Sequence, residues 1–291
     1  MTDRPYQNRH WTSKDGLTLH FRDYPGAEGA QDRPPVICLH GLTRNARDFS
    51  HLAERLAPEW RVLVPEMRGR GDSDYASDPQ SYAVPQYVAD VRALLEQEQI
   101  ERYVAIATSM GGIMTMAQAA EDPSRIAAAA LNDIGPVVES QGLEKIRTYV
   151  GQGRSFPTWM HAARSLADTH GEAHPAFTLD DWLAMAKRNL VIGSNGRIVF
   201  DYDMKLAEPM LEADDSAVPP DLWPGFDALC DKPLLLIRGA LSNLLSEETF
   251  AEMQRRAEDV EAITVTQTGH APTLMEPEVL AAIDHLLAKV R

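Results

Sequence analysis

Short, unbroken apolar runs, each followed by a stretch of helical periodicity, constrain this chain more than any other feature. Pro35-Val36-Ile37-Cys38-Leu39 is the first, and Arg61-Val62-Leu63-Val64-Pro65 and Tyr103-Val104-Ala105-Ile106-Ala107 follow. A strand that is apolar at every position has both faces covered, as in a parallel sheet held between helical layers. The segments between the runs fit that arrangement. Residues 46–56 predict a helix, as do residues 84–97, where Val88, Val91, Leu94 and Leu95 share one face. Residues 110–120 predict a third helix, residues 126–131 a further apolar strand, and residues 17–24 a half-exposed strand of alternating polarity. The expected fold is α/β, a doubly wound and mostly parallel sheet.

The alternation stops near residue 136 and resumes after Pro219-Pro220 and Pro224-Gly225. Beyond that break come a strand at residues 233–237 and a helix at 246–257, with Ser246 as its cap and Glu247 and Glu248 in its first turn. A strand at 262–266 and an amphipathic helix at 278–290 complete the chain. The interval shows helical patterns and no βαβ unit. The sequence therefore predicts a core made of residues 1–135 and 227–291, with a helical cap, residues 136–226, inserted in it.

Charge and cysteine content narrow the function classes. The chain has 28 Lys and Arg against 43 Asp and Glu, a net charge of −15. Nucleic acid and anionic membrane both require a basic footprint, so neither is expected as a partner. Cys38 and Cys230 are the only cysteines, too few for a disulfide framework or a zinc cluster. With no apolar core in Met1-Thr2-Asp3-Arg4-Pro5-Tyr6-Gln7-Asn8 and no run of about 20 apolar residues, the expected location is the cytoplasm.

The strand ending at Ala107 runs directly into Thr108-Ser109-Met110-Gly111-Gly112 and then a helix. Strand, sharp turn and helix form the context of a nucleophile elbow, with Ser109 raised from the sheet and small residues, Ala107 and Gly111, where strand and helix approach. Alone, this pentapeptide reads equally as a helix-capping serine. Three other strand ends add weight. His40-Gly41-Leu42 follows the strand 35–39, where the Leu42 N–H could pair with that of Met110 as an oxyanion hole. Arg68-Gly69-Arg70-Gly71 follows the strand 61–65 and is expected to be structural. Thr268-Gly269-His270-Ala271-Pro272 follows the last strand, at the sheet edge where open α/β sheets bind ligands. His170 and His174 are spaced like a metal pair, but Gly171 and Pro175 break the helix such a pair needs, and no metal is expected.

With Ala107-Thr108-Ser109-Met110-Gly111, His40-Gly41, Arg68-Gly69-Arg70-Gly71, Asn132-Asp133-Ile134-Gly135-Pro136 and Gly269-His270-Ala271-Pro272 in hand, the chain resembles the α/β-hydrolase superfamily, in its capped serine-hydrolase branch. The similarity spans roughly residues 17–135 and 228–291. It implies the esterases, enol-lactonases and carbon–carbon bond hydrolases as nearest groups, with Ser109 as nucleophile and His270 as base.

The acid departs from the family pattern. The loop after the strand 233–238 normally carries an Asp, and this chain has Asn243 there. An amide cannot balance the charge of an imidazolium, and it favours the wrong histidine tautomer. Three readings stay open at this point. Asn243 could replace an Asp to trap a bound substrate, the reading ranked first. Asp133, at the end of the preceding strand, could supply the carboxylate. Or turnover could be slow or absent. Glu247 reads better as a first-turn helix residue.

The expected activity is hydrolysis of a small or medium hydrophobic ester or lactone, with no cofactor, since no Gly-rich dinucleotide or phosphate loop has the right spacing. The rivals are β-diketone cleavage by the same serine and a non-catalytic receptor that keeps the pocket. His40, Trp159, Met160, Trp182, Met185 and Trp223 are candidate substrate contacts in a mainly apolar pocket.

Overall fold

The computed structural model describes residues 5–27, 29–212 and 220–290. Strands β1 (Gln7–Thr12), β2 (Thr18–Tyr24), β3 (Val36–Leu39), β4 (Val62–Pro65), β5 (Tyr103–Thr108) and β6 (Ile126–Asn132) come first. Helices α1 (Ser50–Leu56), α2 (Val84–Gln97) and α3 (Met110–Glu121) lie between them. The insert contributes α4 (Ser140–Arg147), β7 (Ser155–Phe156), α5 (Trp159–His170), α6 (Leu179–Asn189), β8 (Leu190–Ile192), β9 (Ile198–Phe200) and α7 (Glu208–Glu212). The chain then returns through α8 (Trp223–Asp227), β10 (Pro233–Gly239), α9 (Glu247–Arg256), β11 (Asp259–Val265) and α10 (Pro277–Ala288).

Eight strands form one sheet in the order β1-β2-β4-β3-β5-β6-β10-β11. Only β2 runs against its neighbours; from β4 to β11 every pairing is parallel. The continuous apolar runs divide by strand alternation between the two faces. Ile37, Leu39, Ala105 and Ala107 pack on the α2 and α3 side, while Val36, Cys38, Val104 and Ile106 pack on the α1 and α10 side. This is why the runs need no polar residue. From β3 the chain goes outward to β4, and β5 returns on the other flank of β3. The loops after β3 and β5 therefore diverge at a switch point, where a crevice opens beyond the carboxyl ends of the strands.

The insert differs from the all-helical expectation. Helices α5 and α6 pack together on Ala162, Ala163, Leu166, Trp182 and Met185, but β7, β9 and β8 add a small antiparallel sheet. Its hairpin turns over residues 193–197, where the Gly193 N–H donates to the Arg197 carbonyl and Gly196 has a positive φ of 75°. Helix α8, which straddles the expected boundary at residues 226 and 227, packs on α3. A Cβ on Gly225 would lie 2.2 Å from the Met116 carbonyl oxygen. Residues 1–4 of the N-terminal stretch and Pro219, half of the expected Pro219-Pro220 break, lie outside the described residues.

Candidate active site

Ser109 sits at the junction of β5 and α3 with φ 53° and ψ −118°, a conformation that only a constrained turn holds in a non-glycine residue. The constraints are visible. Its N–H donates to the Asn132 carbonyl of the adjacent strand end at 3.1 Å, and its carbonyl accepts from Gly112 and Ile113. Gly111 is required by space, because a Cβ there would stand 2.2 Å from the Leu39 carbonyl oxygen. The turn lifts the Ser109 hydroxyl above the sheet edge, where His270 Nε2 lies 2.9 Å from its Oγ.

His270 comes from the loop after β11. Asn132 fixes that loop by donating from Nδ2 to the Pro272 carbonyl and to Thr108 Oγ1, tying it to the end of β5. The other ring nitrogen of His270, Nδ1, lies 2.8 Å from Asp133 Oδ2. A carboxylate can only accept, so Nδ1 carries the proton and Nε2 is left to accept from the Ser109 hydroxyl.

Asp133 is fully buried at the end of β6, with φ 54°. The Gly239 N–H donates to its Oδ1 at 2.7 Å and the Ser242 hydroxyl to its Oδ2 at 2.7 Å. The ranking of Asn243 ahead of Asp133 is thereby corrected. Both nitrogens of His270 have partners, and Asn243 is neither of them. Strands β6 and β10 are parallel neighbours, with Ile237 opposite Asn132, so their ends converge on the same spot. The loop after β10 supplies two donors to the carboxylate, and the end of β6 supplies the carboxylate.

Among the described residues the N–H groups of Leu42 and Met110 make no hydrogen bond. Leu42 lines the pocket around Ser109, and Met110 follows it directly in the chain. Arg70 holds both in place. It is fully buried, donates from Nε to the Leu42 carbonyl at 2.9 Å, and sets Nη2 3.7 Å from the Met110 sulfur. The buried His40 is not a substrate contact. Its Nδ1 donates to the Gly41 carbonyl at 2.7 Å, and its Nε2 accepts from the Met67 N–H at 3.1 Å. Burial, with the charge of Arg70, pushes its pKa down to about 4, so the ring is a neutral brace for the loop carrying Leu42.

A cleft lies above Ser109, between the loops of the sheet and the insert. Of the proposed contacts from the insert, only Met185 lines it, beside Leu166, Tyr149, Phe200 and Tyr202. Trp182 is buried against Phe177 and His174 in the interior of the insert, and Trp159 packs on the same cluster. Met160 is absent from the lining. Trp223 lies under the Arg256 guanidinium and edge-on to Phe226, on α8 packed against α3. The expectation of a mainly apolar lining is also corrected, because Arg44, Asp48, Arg154 and Arg188 stand in the wall. His170 lies there too, edge-on to Tyr149, with its pKa lowered to about 3 by burial and by the Arg44 charge. His174 stacks on Phe177, so the His170 and His174 pair is taken up by aromatic contacts.

His20, Glu66 and Asp72 bring metal-capable atoms within 4.8 Å of one another. The Glu66 oxygens there already accept from the N–H groups of Ala46 and Asp72 and face His20 Nδ1, so the cluster reads as an internal brace. No helix among the described residues is long and apolar enough to cross a membrane.

Comparison with known proteins gives the family. Residues 36–283 match the alpha/beta hydrolase family. The 3-hydroxybutyrate-oligomer hydrolase of Cupriavidus necator is 35% identical over 252 residues, covering 84% of this chain and 85% of that protein. The 2-(acetamidomethylene)succinate hydrolase of Mesorhizobium japonicum is 24% identical over 257 residues, 87% of this chain and 88% of its own. A crystal structure of an alpha/beta hydrolase from Novosphingobium aromaticivorans is 58% identical, superposes with a TM-score of 0.93, and covers 98% of this chain and 99% of that one.

Proposed function

The chain belongs to the alpha/beta hydrolase family, and we propose that it cleaves carboxylic esters through an acyl-enzyme on Ser109. The observation that carries this reading is the line of hydrogen bonds from Ser109 Oγ to His270 Nε2 at 2.9 Å and from His270 Nδ1 to Asp133 at 2.8 Å. A serine hydroxyl becomes a nucleophile when an adjacent base removes its proton as it attacks. His270 accepts that proton, and buried Asp133 stabilises the imidazolium that forms. The carbonyl oxygen turns into an oxyanion, for which the free N–H groups of Leu42 and Met110 are the donors at hand. His270 then returns the proton to the leaving alcohol. In the second half, water attacks the acyl carbon, giving its proton to His270, and Ser109 is released.

An ester bond is favoured as the target because the 3-hydroxybutyrate-oligomer hydrolase is 35% identical across 84% of the chain. A short aliphatic acyl chain suits the wall of Leu166, Met185 and Phe200, and a lactone is the cyclic form of the same bond. The receptor reading rested on Asn243, and the contact of Asp133 with His270 supports turnover instead. Cleavage of a β-diketone would use the same three side chains, and paired assays on an ester and a diketone separate the two. Free thiols at Cys38 and Cys230 suit a cytoplasmic setting, which we include in the proposal. The test is Ser109→Ala. Hydrolysis of p-nitrophenyl butyrate is expected to disappear, and turnover at the unaltered rate would overturn the reading.

A further inference from the structure

Two arginines in the pocket wall are short of acceptors. Arg44 lies on the loop after β3, two residues beyond Leu42, and Arg188 lies on α6 in the facing insert. Their one shared counter-ion is Asp48, whose Oδ1 is 3.8 Å from Arg44 Nη1 and 3.5 Å from Arg188 Nε, both loose contacts. Among the described residues neither guanidinium makes another hydrogen bond or ion pair. The nearby Asp201 is already committed to Arg47, at 2.6 Å. One carboxylate thus stands between two cations, with Asp181 acting on Arg188 only through its field, which leaves the pair short of directly bonded counter-charge in a chain whose net charge is −15.

These cations are also partly withdrawn from water, with 23% and 16% of their side chains exposed. A sheltered charge without full hydrogen bonding is costly, and an anion that fills its fork removes the deficit. The positive field is felt around the cleft. The charge of Arg44 adds to burial in lowering the pKa of Arg188 and of His174, the latter to about 4. The stem of Arg44 is close to Ser109, and Arg188 lines the same cleft. The point where a Cβ on Gly41 would sit is 3.6 Å from Arg44 Cγ and 3.6 Å from Ser109 Cβ, so those two carbons are at most twice that distance apart.

We propose that Arg44 and Arg188 form an anchor for a carboxylate carried by the substrate, gripped between the core and the insert while its ester bond lies across Ser109. The substrate class is then an ester with a free acid group a few bonds from the scissile carbonyl, as in a linear oligoester of a hydroxy acid. A neutral ester or a simple lactone has no group for this anchor. Two neighbouring planar guanidinium forks, one from the core loop and one from the insert, suit the flat, two-oxygen carboxylate. That the anion is part of an ester rests on the hydrolase reading above; the anion site itself does not.

Binding and selectivity are read separately. Glutarate, titrated calorimetrically into the Ser109→Ala chain, is expected to bind, and adding Arg188→Gln or Arg44→Gln weakens it at least tenfold. Absence of binding, equal binding by the variants, or tighter binding of inorganic phosphate overturns the anchor. Competitive inhibition of the unaltered enzyme by glutarate and not by glutaramide needs no variant, and equal inhibition by both overturns it as well. For selectivity, mono-p-nitrophenyl glutarate is compared with its methyl ester. The ratio of their kcat/KM values is expected to fall at least tenfold in Arg188→Gln and to recover in part in Arg188→Lys, and an unchanged ratio counts against the anchor. A chain that binds glutarate through Arg188 yet hydrolyses neither ester keeps the anchor and refutes the hydrolase reading. One that hydrolyses both through Ser109 without selectivity does the reverse.

Discussion

Replacing Asp133 by Asn separates the two candidates for the acid. The Asp133 carboxylate is fully buried and receives three donors: the Gly239 N–H, the Ser242 hydroxyl and His270 Nδ1. An amide has one oxygen to accept with, and its NH₂ must face at least one of those donors. If the oxygen stays with His270 and Ser242, the NH₂ meets the Gly239 N–H, and a buried hydrogen bond is lost at a stability cost of roughly 1–3 kcal/mol. If it turns the other way, the NH₂ meets Nδ1 and forces the proton to Nε2, where it blocks acceptance from Ser109. In both cases the negative charge beside the imidazolium is gone. The corresponding change in a serine protease lowers kcat about 10⁴-fold, or about 5 kcal/mol of transition-state stabilisation. The assay is kcat for a p-nitrophenyl ester, alongside urea unfolding to separate catalysis from folding. Asp133→Asn is expected to lose roughly three to four orders of magnitude while remaining folded. Asn243→Asp, at a half-buried position with no ring nitrogen to meet, should stay within about threefold, since changes away from such contacts have small effects. A large gain in Asn243→Asp, or a mild loss in Asp133→Asn, would refute the assignment.

Three further outcomes follow from the packing. His40 and His174 are held neutral, chiefly by burial, with pKa values lowered to about 4. The unfolded chain protonates them near pH 6.5, and the folded state does so only near pH 4. Stability should therefore fall as pH drops across that window, by up to ~1.4 kcal/mol per pH unit for each histidine, and be independent of them above it. Urea midpoints at pH 7.5, 6 and 5 check this, and a flat profile contradicts it. Gly111→Ala places a Cβ 2.2 Å from the Leu39 carbonyl oxygen, against backbone that cannot yield, and should cost roughly 3 kcal/mol or prevent folding. A native melting temperature in that variant would show that the elbow is looser than described. Arg47 ties the core to the insert by donating to the Arg188 carbonyl at 2.8 Å and to Asp201 at 2.6 Å. Arg47→Ala should speed limited proteolysis in the insert and raise KM more than it lowers kcat, and an unchanged digestion pattern would deny it that tethering role.

The parts legible in the sequence are those written in continuous local patterns. Runs such as Val36–Leu39 and Val62–Pro65 have no polar residue because both faces of their strands are covered, and they announced the parallel sheet. The elbow was legible because its backbone needs small residues at fixed offsets. Strand β1 was missed because only Trp11 of its six residues is buried, which leaves an edge strand almost without pattern. The hairpin of β8 and β9 did carry a signal, two β-branched runs flanking Gly193-Ser194-Asn195-Gly196-Arg197, but each run is three residues long and gives periodicity nothing to register. Asp133 and Asn243 could not be ranked locally, because the choice depends on how the neighbouring ends of β6 and β10 converge. Trp223 was misplaced for the same reason in reverse, since chain position put it with the insert and packing puts it under α3. Arg44 and Arg188 are 144 positions apart in number, each ordinary alone, and only the closure of the insert over the sheet brings both to one cleft.

The central claim is that the Ser109 oxygen becomes covalently bonded to the acyl group during turnover. Acid-quenching the enzyme within milliseconds of mixing with a p-nitrophenyl ester, followed by peptide mass spectrometry, measures that bond directly. The account predicts an acyl mass on the peptide containing Ser109, formed in step with the burst of nitrophenol and absent from Ser109→Ala. Steady hydrolysis with no acyl mass on that peptide, and a Ser109→Ala chain that still turns over, would contradict it.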